Sequence, residues 1–258
     1  MTEADWFLCG NASWMLEFLR GKVSGRKLRL LACAIVRSLP FHRDGRPIWD
    51  LVPGYEWFQG STTGDRSMNC HELVEIAERH ADGHASGEEW EAARALAERV
   101  RELAEADTFE NDPVLGPGVH HRGSHFRLAA AEALEHTTRT DLDELCLFMW
   151  NYGVQQPGWD RPSRKMIHPD LALQESGLVR DVFGDAFRPM GIDRTGLTPG
   201  VTSLARAIYD ERAFHHMARL GDALEEAGCE DTDALTHCWS QTTHVRGCWL
   251  VDALLGKA

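Results

Sequence analysis

The chain predicts an all-α fold: a multi-helix orthogonal bundle carrying two long insert loops. Three observations lead there. Apolar residues recur at helical spacing along most of the chain, caps and stops bracket those stretches, and alternating strand-like runs are scarce. At 258 residues, 43% of them hydrophobic, the chain is long and apolar enough to bury a sizeable core.

The elements follow in order. Asn11 or Ser13 caps a short helix through Leu19, with Gly21 behind it. Ser24 opens a second, with Leu28, Leu31, Ala32, Ile35 and Leu39 on one face and Pro40 as its stop. Residues 41–66 hold Pro47, Pro53, Gly45, Gly54, Gly60 and Gly64, a loop that exposes Trp49, Tyr55 and Trp57. Asn69 with Glu72 is a capping-box pattern for a helix ended by Gly83, and Ser86 with Glu89 repeats it for a long helix to about Ala106. That helix carries Trp90, Ala93, Ala97, Val100, Leu103 and Ala104 as one stripe. Residues 107–123 form a Pro/Gly loop, Ser124–His136 and Asp141–Tyr152 are helical, and 153–169 form another polar loop.

Towards the end, Leu171–Phe183 is helical, and Thr198 caps a helix with Pro199 in its first turn, where proline lacks only an amide that has no partner anyway. A helix through Phe214, Met217, Leu220 and Leu224 stops at Gly228. Thr232–Cys238 is a short helix, and Val245–Leu255 is apolar nearly all round and therefore buried. Three segments result: an N-terminal helical part (1–106), a variable insert (107–170) and a C-terminal helical part (171–258), expected to fold as one compact unit.

A net charge of −13 opposes nucleic acid and anionic membrane surfaces, since phosphate binding needs Lys and Arg to displace counterions. The N-terminal MTEADWFLCG has acids where a signal peptide needs cations, and no run approaches the ~20 apolar residues of a membrane span. Seven cysteines, an odd number in a chain that needs no staples, complete the expectation of a reducing cytoplasm.

The front of the chain reads MTEADW, MLEFLRGK, RKLRLLACA and AERHADG. The back reads LVRDVFGDAFRP, LARAIYDERAF, DALEEAGC and HVRGCWLVDALLGK. In these segments the chain resembles an uncharacterised bacterial paralogous family. The likeness spans more than half of the chain, within 1–38, 72–106 and 177–258, and leaves 40–68 and 108–170 as variable inserts. It implies a shared helical frame and an intracellular setting; no activity comes with it.

The densest chemistry lies in Cys229, Cys238, His244 and Cys248, spaced C-x8-C-x5-H-x3-C beside Trp239 and Trp249. The intervals are those of a C-x8-C-x5-C-x3-H zinc finger with the last two ligand types exchanged. The four residue types suit tetrahedral zinc, and a helix through 244–248 would set His244 and Cys248 on one face. Against zinc, fingers of this spacing are loop-rich, and a buried cysteine is also an ordinary small hydrophobe. A second cluster, His120, His121 and His125, opens a helix and could hold a catalytic metal, although no carboxylate stands at a ligand interval. Asp252, inside the apolar last helix, requires a partner, for which Arg246 or a histidine is expected. Nucleophile elbows, phosphate loops and HExxH are absent.

Three functional readings follow. The first is a non-catalytic intracellular protein that binds another protein through Trp49, Tyr55 and Trp57. The alternative is a metal-dependent hydrolase built on His120, His121 and His125. A zinc-stabilised nucleic-acid-binding module comes last, opposed by the acidic charge.

Overall fold

A computed structural model of the chain describes residues 1–38, 70–109, 131–139, 159–160, 165–166, 169–188 and 194–257. The fold is all-α. The helices are α1 (Glu3–Leu8), α2 (Ala12–Phe18), α3 (Gly25–Ser38), α4 (Cys70–Ala81), α5 (Gly87–Phe109), α6 (131–138), α7 (Pro169–Phe183), α8 (Pro199–Glu211), α9 (Met217–Glu226), α10 (Thr232–Trp239) and α11 (Trp249–Leu255). Extended pairing among the described residues is confined to a two-residue antiparallel ladder, Trp159–Asp160 with Lys165–Met166. The Trp49, Tyr55 and Trp57 loop and the His120, His121 and His125 cluster lie outside the described residues.

The caps predicted at Asn11, Ser86 and Thr198 form, while Asn69 lies outside the described residues. Asn11 accepts the Trp14 amide, Ser86 and Glu89 exchange both bonds of their capping box, and Thr198 accepts the Val201 amide ahead of a helix that starts at Pro199. Helix α1 adds to the predicted elements: Thr2 and Asp5 form its capping box, each bonding the other's amide. Two boundaries depart from expectation. The 214–224 stretch begins with a 3-10 turn, Phe214–His216, and becomes α-helical only at Met217. The last helix starts at Trp249 rather than Val245, because Gly247 at φ 95° takes a conformation that a helix cannot contain.

The chain divides into two compact units, Leu28–His168, and Met1–Lys27 with Pro169–Ala258. In the first, Leu31 and Ile35 of α3, Leu73 and Ile76 of α4, and Ala93 and Val100 of α5 are buried, with α4 packed on α5. Buried Glu78 is held there by Arg37 at 2.8 Å, and the His80 ring stacks on Trp90 at 3.8 Å. In the second unit, α8, α9, α10 and α11 enclose a continuous core that includes Ile208, Tyr209, Leu220, Leu224, Cys238, Leu250 and Leu254. Gly221 brings α9 and α10 close, for a Cβ there would stand 2.8 Å from the Cβ of Cys238.

Asp252 is buried as predicted but its partners come from the N-terminal segment. Arg26 grips both carboxylate oxygens, at 2.7 and 3.0 Å, and also donates to the Tyr209 hydroxyl. Lys27 lies 2.7 Å from the same carboxylate. The paired fork satisfies a charge that would be costly to bury alone. Arg246, the expected partner, instead lies over the Tyr209 ring at 4.6 Å.

Candidate metal centre

Three segments of the second unit converge on one point. Helix α7 carries Asp181 near its C-terminal end, α10 carries His237 in its last turn, and the turn that follows carries His244 and Cys248. The ligand-type atoms of these four residues all lie within 4.8 Å of one another. The cluster is nearly sealed: side-chain exposure is 2% for Asp181, 4% for His244 and 15% for His237, and Cys248 is wholly buried.

The local sequence explains the convergence. Ser240 closes α10 by donating to the His237 carbonyl, and the chain then turns back instead of continuing as helix. The Val245 amide, which has no helical partner in that turn, donates to Asp181 Oδ2 at 2.8 Å. The Cys248 amide donates to the Val245 carbonyl, and Cys248 becomes the residue that opens α11. His244 and Cys248 therefore meet through a turn and not across one helical face.

Lys27 braces this arrangement from behind. Its ammonium donates to the Val182 carbonyl at 3.0 Å and to the Gly247 carbonyl at 2.7 Å. Those carbonyls belong to the residues next to Asp181 and Cys248, so one cation ties together the two segments that supply them.

Within the cluster, three side chains crowd the Asp181 carboxylate and one another. His237 Nε2 lies 3.1 Å from Cys248 Sγ and 3.3 Å from Asp181 Oδ1. His244 Nδ1 faces the same Oδ1 at 2.6 Å, while its buried Nε2 has no hydrogen-bond partner among the described residues. His237 Nε2 can accept from the Cys248 thiol or donate to Asp181, one at a time. Burial pushes the Asp181 carboxyl up, but hydrogen bonding to His237 and His244, and then their charge, outweigh it and leave it below the ordinary range. Burial, and next the Asp181 charge, push the Cys248 thiol well above its ordinary value. A bound cation would reverse that last effect by holding the thiolate.

The donor set of one carboxylate, two imidazoles and one thiol suits zinc and not the all-oxygen preferences of calcium or magnesium. Tetrahedral zinc with bonds of about 2.0–2.3 Å sets its ligand atoms roughly 3.3–3.7 Å apart. An ion entering here would part the Asp181–His244 pair and draw the wider pairs inward, each by about 1 Å on that scale.

Of the four residues singled out by spacing, His244 and Cys248 belong to this cluster. Cys229 and Cys238 belong to no described group of metal-ligating side chains. Cys238 is buried in the apolar core against Gly221, where burial, and then neighbouring Cys229, push its thiol up to about 12. Asp181 and His237 take the two remaining places. Both left a trace in the sequence. Asp181 is an acid flanked by buried Val179 and Val182 on a helix, and His237 stands beside the cysteine that spacing selected.

Beside the cluster lies a pocket of about 290 Å³ whose lining includes Asp181 and His237 but neither His244 nor Cys248. Phe7 and Trp249 form apolar parts of its wall, and Thr236, Ser240 and Thr242 supply hydroxyls. Compared with protein-family models, curated proteins and solved structures, the chain matches none. No helix among the described residues is long and apolar enough to cross a membrane.

Proposed function

We propose that this protein binds a transition metal, zinc in the first instance, through Asp181, His237, His244 and Cys248. One observation carries the reading: four side chains of metal-ligand type from three separate segments converge within 4.8 Å inside a nearly sealed interior. As a hydrogen-bonded network the set leaves one atom over, for the buried Nε2 of His244 has no partner among the described residues. A cation at the centre would hold the four side chains together. The resemblance to an uncharacterised bacterial family supplies no activity, so the reading rests on the site.

Elemental analysis of the purified protein tests it, with about one zinc per chain expected after reconstitution. His237→Ala and Cys248→Ser should each lose the metal, while Cys229→Ser should keep it. A wild-type chain that holds no stoichiometric metal in zinc-containing buffer would overturn the proposal.

A protein partner is the second reading. It is favoured by the exposure of Leu8 and Trp14 beside a groove that also involves Met1 and Phe18. Sedimentation of wild type against Trp14→Glu tests whether that surface joins chains; identical monomeric behaviour would remove self-association from this reading.

A further inference from the structure

The pocket beside the cluster is lined by three carboxylates, Asp181, Asp185 and Asp233, against one arginine, Arg180. Arg180 is committed, for its N–H groups go to the Trp6 and Cys9 carbonyls and the Ser176 hydroxyl. Asp181 is committed too, with Oδ2 accepting the Val245 amide and Oδ1 set against His244. Asp185 and Asp233 keep acceptor capacity in hand. Buried Asp185 spends Oδ1 on the Phe187 amide and has Arg188 3.6 Å from Oδ2, while Asp233 has Arg188 at 3.8 Å. Both gaps exceed a hydrogen bond. The close ion pair of Arg188 is with Glu3, at 2.5 Å. One guanidinium leaning towards both aspartates shows that they stand near enough to share a cation.

We propose that this pocket binds a small organic amine in its ammonium form, with Asp185 and Asp233 holding the charge and Phe7 and Trp249 flanking the apolar body. A buried carboxylate is best satisfied by a charged donor that bonds it directly, and an ammonium supplies one where Arg188 stops short. The aromatic rings of the wall also attract a cation, and Thr236 adds a hydroxyl. The same carboxylates repel an anion. At about 290 Å³ the space lies at the small end for ligand sites, which sets the class as a monoamine of metabolite size with a short aliphatic or aromatic body. Neither Asp185 nor Asp233 belongs to the metal-ligand set, so the site goes beyond the metal reading and does not depend on it.

Benzylamine and butylamine, both protonated at neutral pH, are the probes, read by titration calorimetry on the whole chain. At least one should bind saturably, and benzyl alcohol and benzoate should bind about ten-fold more weakly or not at all, for want of a charge-assisted bond. Asp185→Asn keeps an acceptor for the Phe187 amide, and it and Asp233→Asn should each weaken the amine by about ten-fold. Arg188→Ala removes the competing cation and should tighten it. Gly177 lines the pocket, and a Cβ there meets nothing within 4 Å, so Gly177→Leu fills the cavity without a clash and should abolish binding. Thr236→Phe, an exposed position on the same wall, is the second block should Gly177→Leu fail to fold. Failure of both amines to bind, equal affinity for benzyl alcohol, or binding that survives the filled pocket or both Asn substitutions would overturn the proposal. A chain that takes the amine but no metal would leave it standing and remove the metal reading; a chain that takes metal but no amine would do the reverse.

Discussion

Cys238 and Cys248 are both buried thiols in the same core, yet their surroundings separate them. Cys238 packs its Cβ against Gly221 among apolar side chains, and Cys248 presents its sulfur to His237 Nε2 at 3.1 Å. Cys238→Ser is therefore expected to keep the metal and to cost ~1–3 kcal/mol in urea denaturation, from burying a hydroxyl without a good partner. Cys248→Ser is expected to lose the metal at near-normal helix content, as read by elemental analysis and circular dichroism. Glu175 gives a second residue-scale outcome, because burial pushes its carboxyl from 4.5 up to about 7. Between those values the unfolded chain has released the proton and the folded chain retains it, so stability falls as pH rises. The contribution is whole below pH 4.5 and gone above about 7. Glu175→Gln should then match wild type near pH 4 and exceed it at pH 8 by up to about 3 kcal/mol, in urea midpoints taken across that range.

At the scale of the element, the centre depends on a turn and a brace rather than on a helix. The sequence suggests helix through 245–255 because its residues are apolar. Gly247 at positive φ and the diversion of the Val245 amide to Asp181 hold residues 245–248 out of it. Lys27 then ties the end of α7 to that turn through the Val182 and Gly247 carbonyls. Lys27→Met removes the tie and takes one of two cations, beside Arg26, from the buried Asp252 carboxylate. It should weaken zinc binding measured by competition with a chelator and also lower stability. Lys27→Arg, which restores the charge, should recover stability more fully than affinity, because a planar fork does not reproduce three diverging ammonium bonds. Gly221→Ala probes the neighbouring contact. Its Cβ would fall 2.8 Å from the Cβ of Cys238, an atom with little freedom to retreat. A loss of ~1–3 kcal/mol is expected in thermal or urea unfolding, with His237 shifted through α10 and metal affinity reduced.

For the whole molecule, a metal that binds only the folded chain adds its binding energy to stability. Free metal at 1,000 times its dissociation constant contributes about 4 kcal/mol, so chelation should lower the melting temperature of wild type and leave that of Cys248→Ser unmoved. Equal responses of the two chains to chelator would contradict this. The sequence alone determined the helical class and most boundaries, because caps, apolar stripes and stops at Asn11, Ser86, Thr198 and Pro199 act within a few residues of themselves. It also determined that Asp252 needed a partner, and that His244 and Cys248 were worth watching. Tertiary structure decided the rest. Asp181 stands 63 residues from His244, and Arg26 stands 226 from Asp252. Local periodicity carries no information across such separations, and only packing of α7, α10 and the turn before α11 brings the groups together. Spacing placed Cys229 and Cys238 beside His244 and Cys248 in sequence; the core chose Asp181 and His237 because their side chains point to the shared interior while Cys238 turns towards α9.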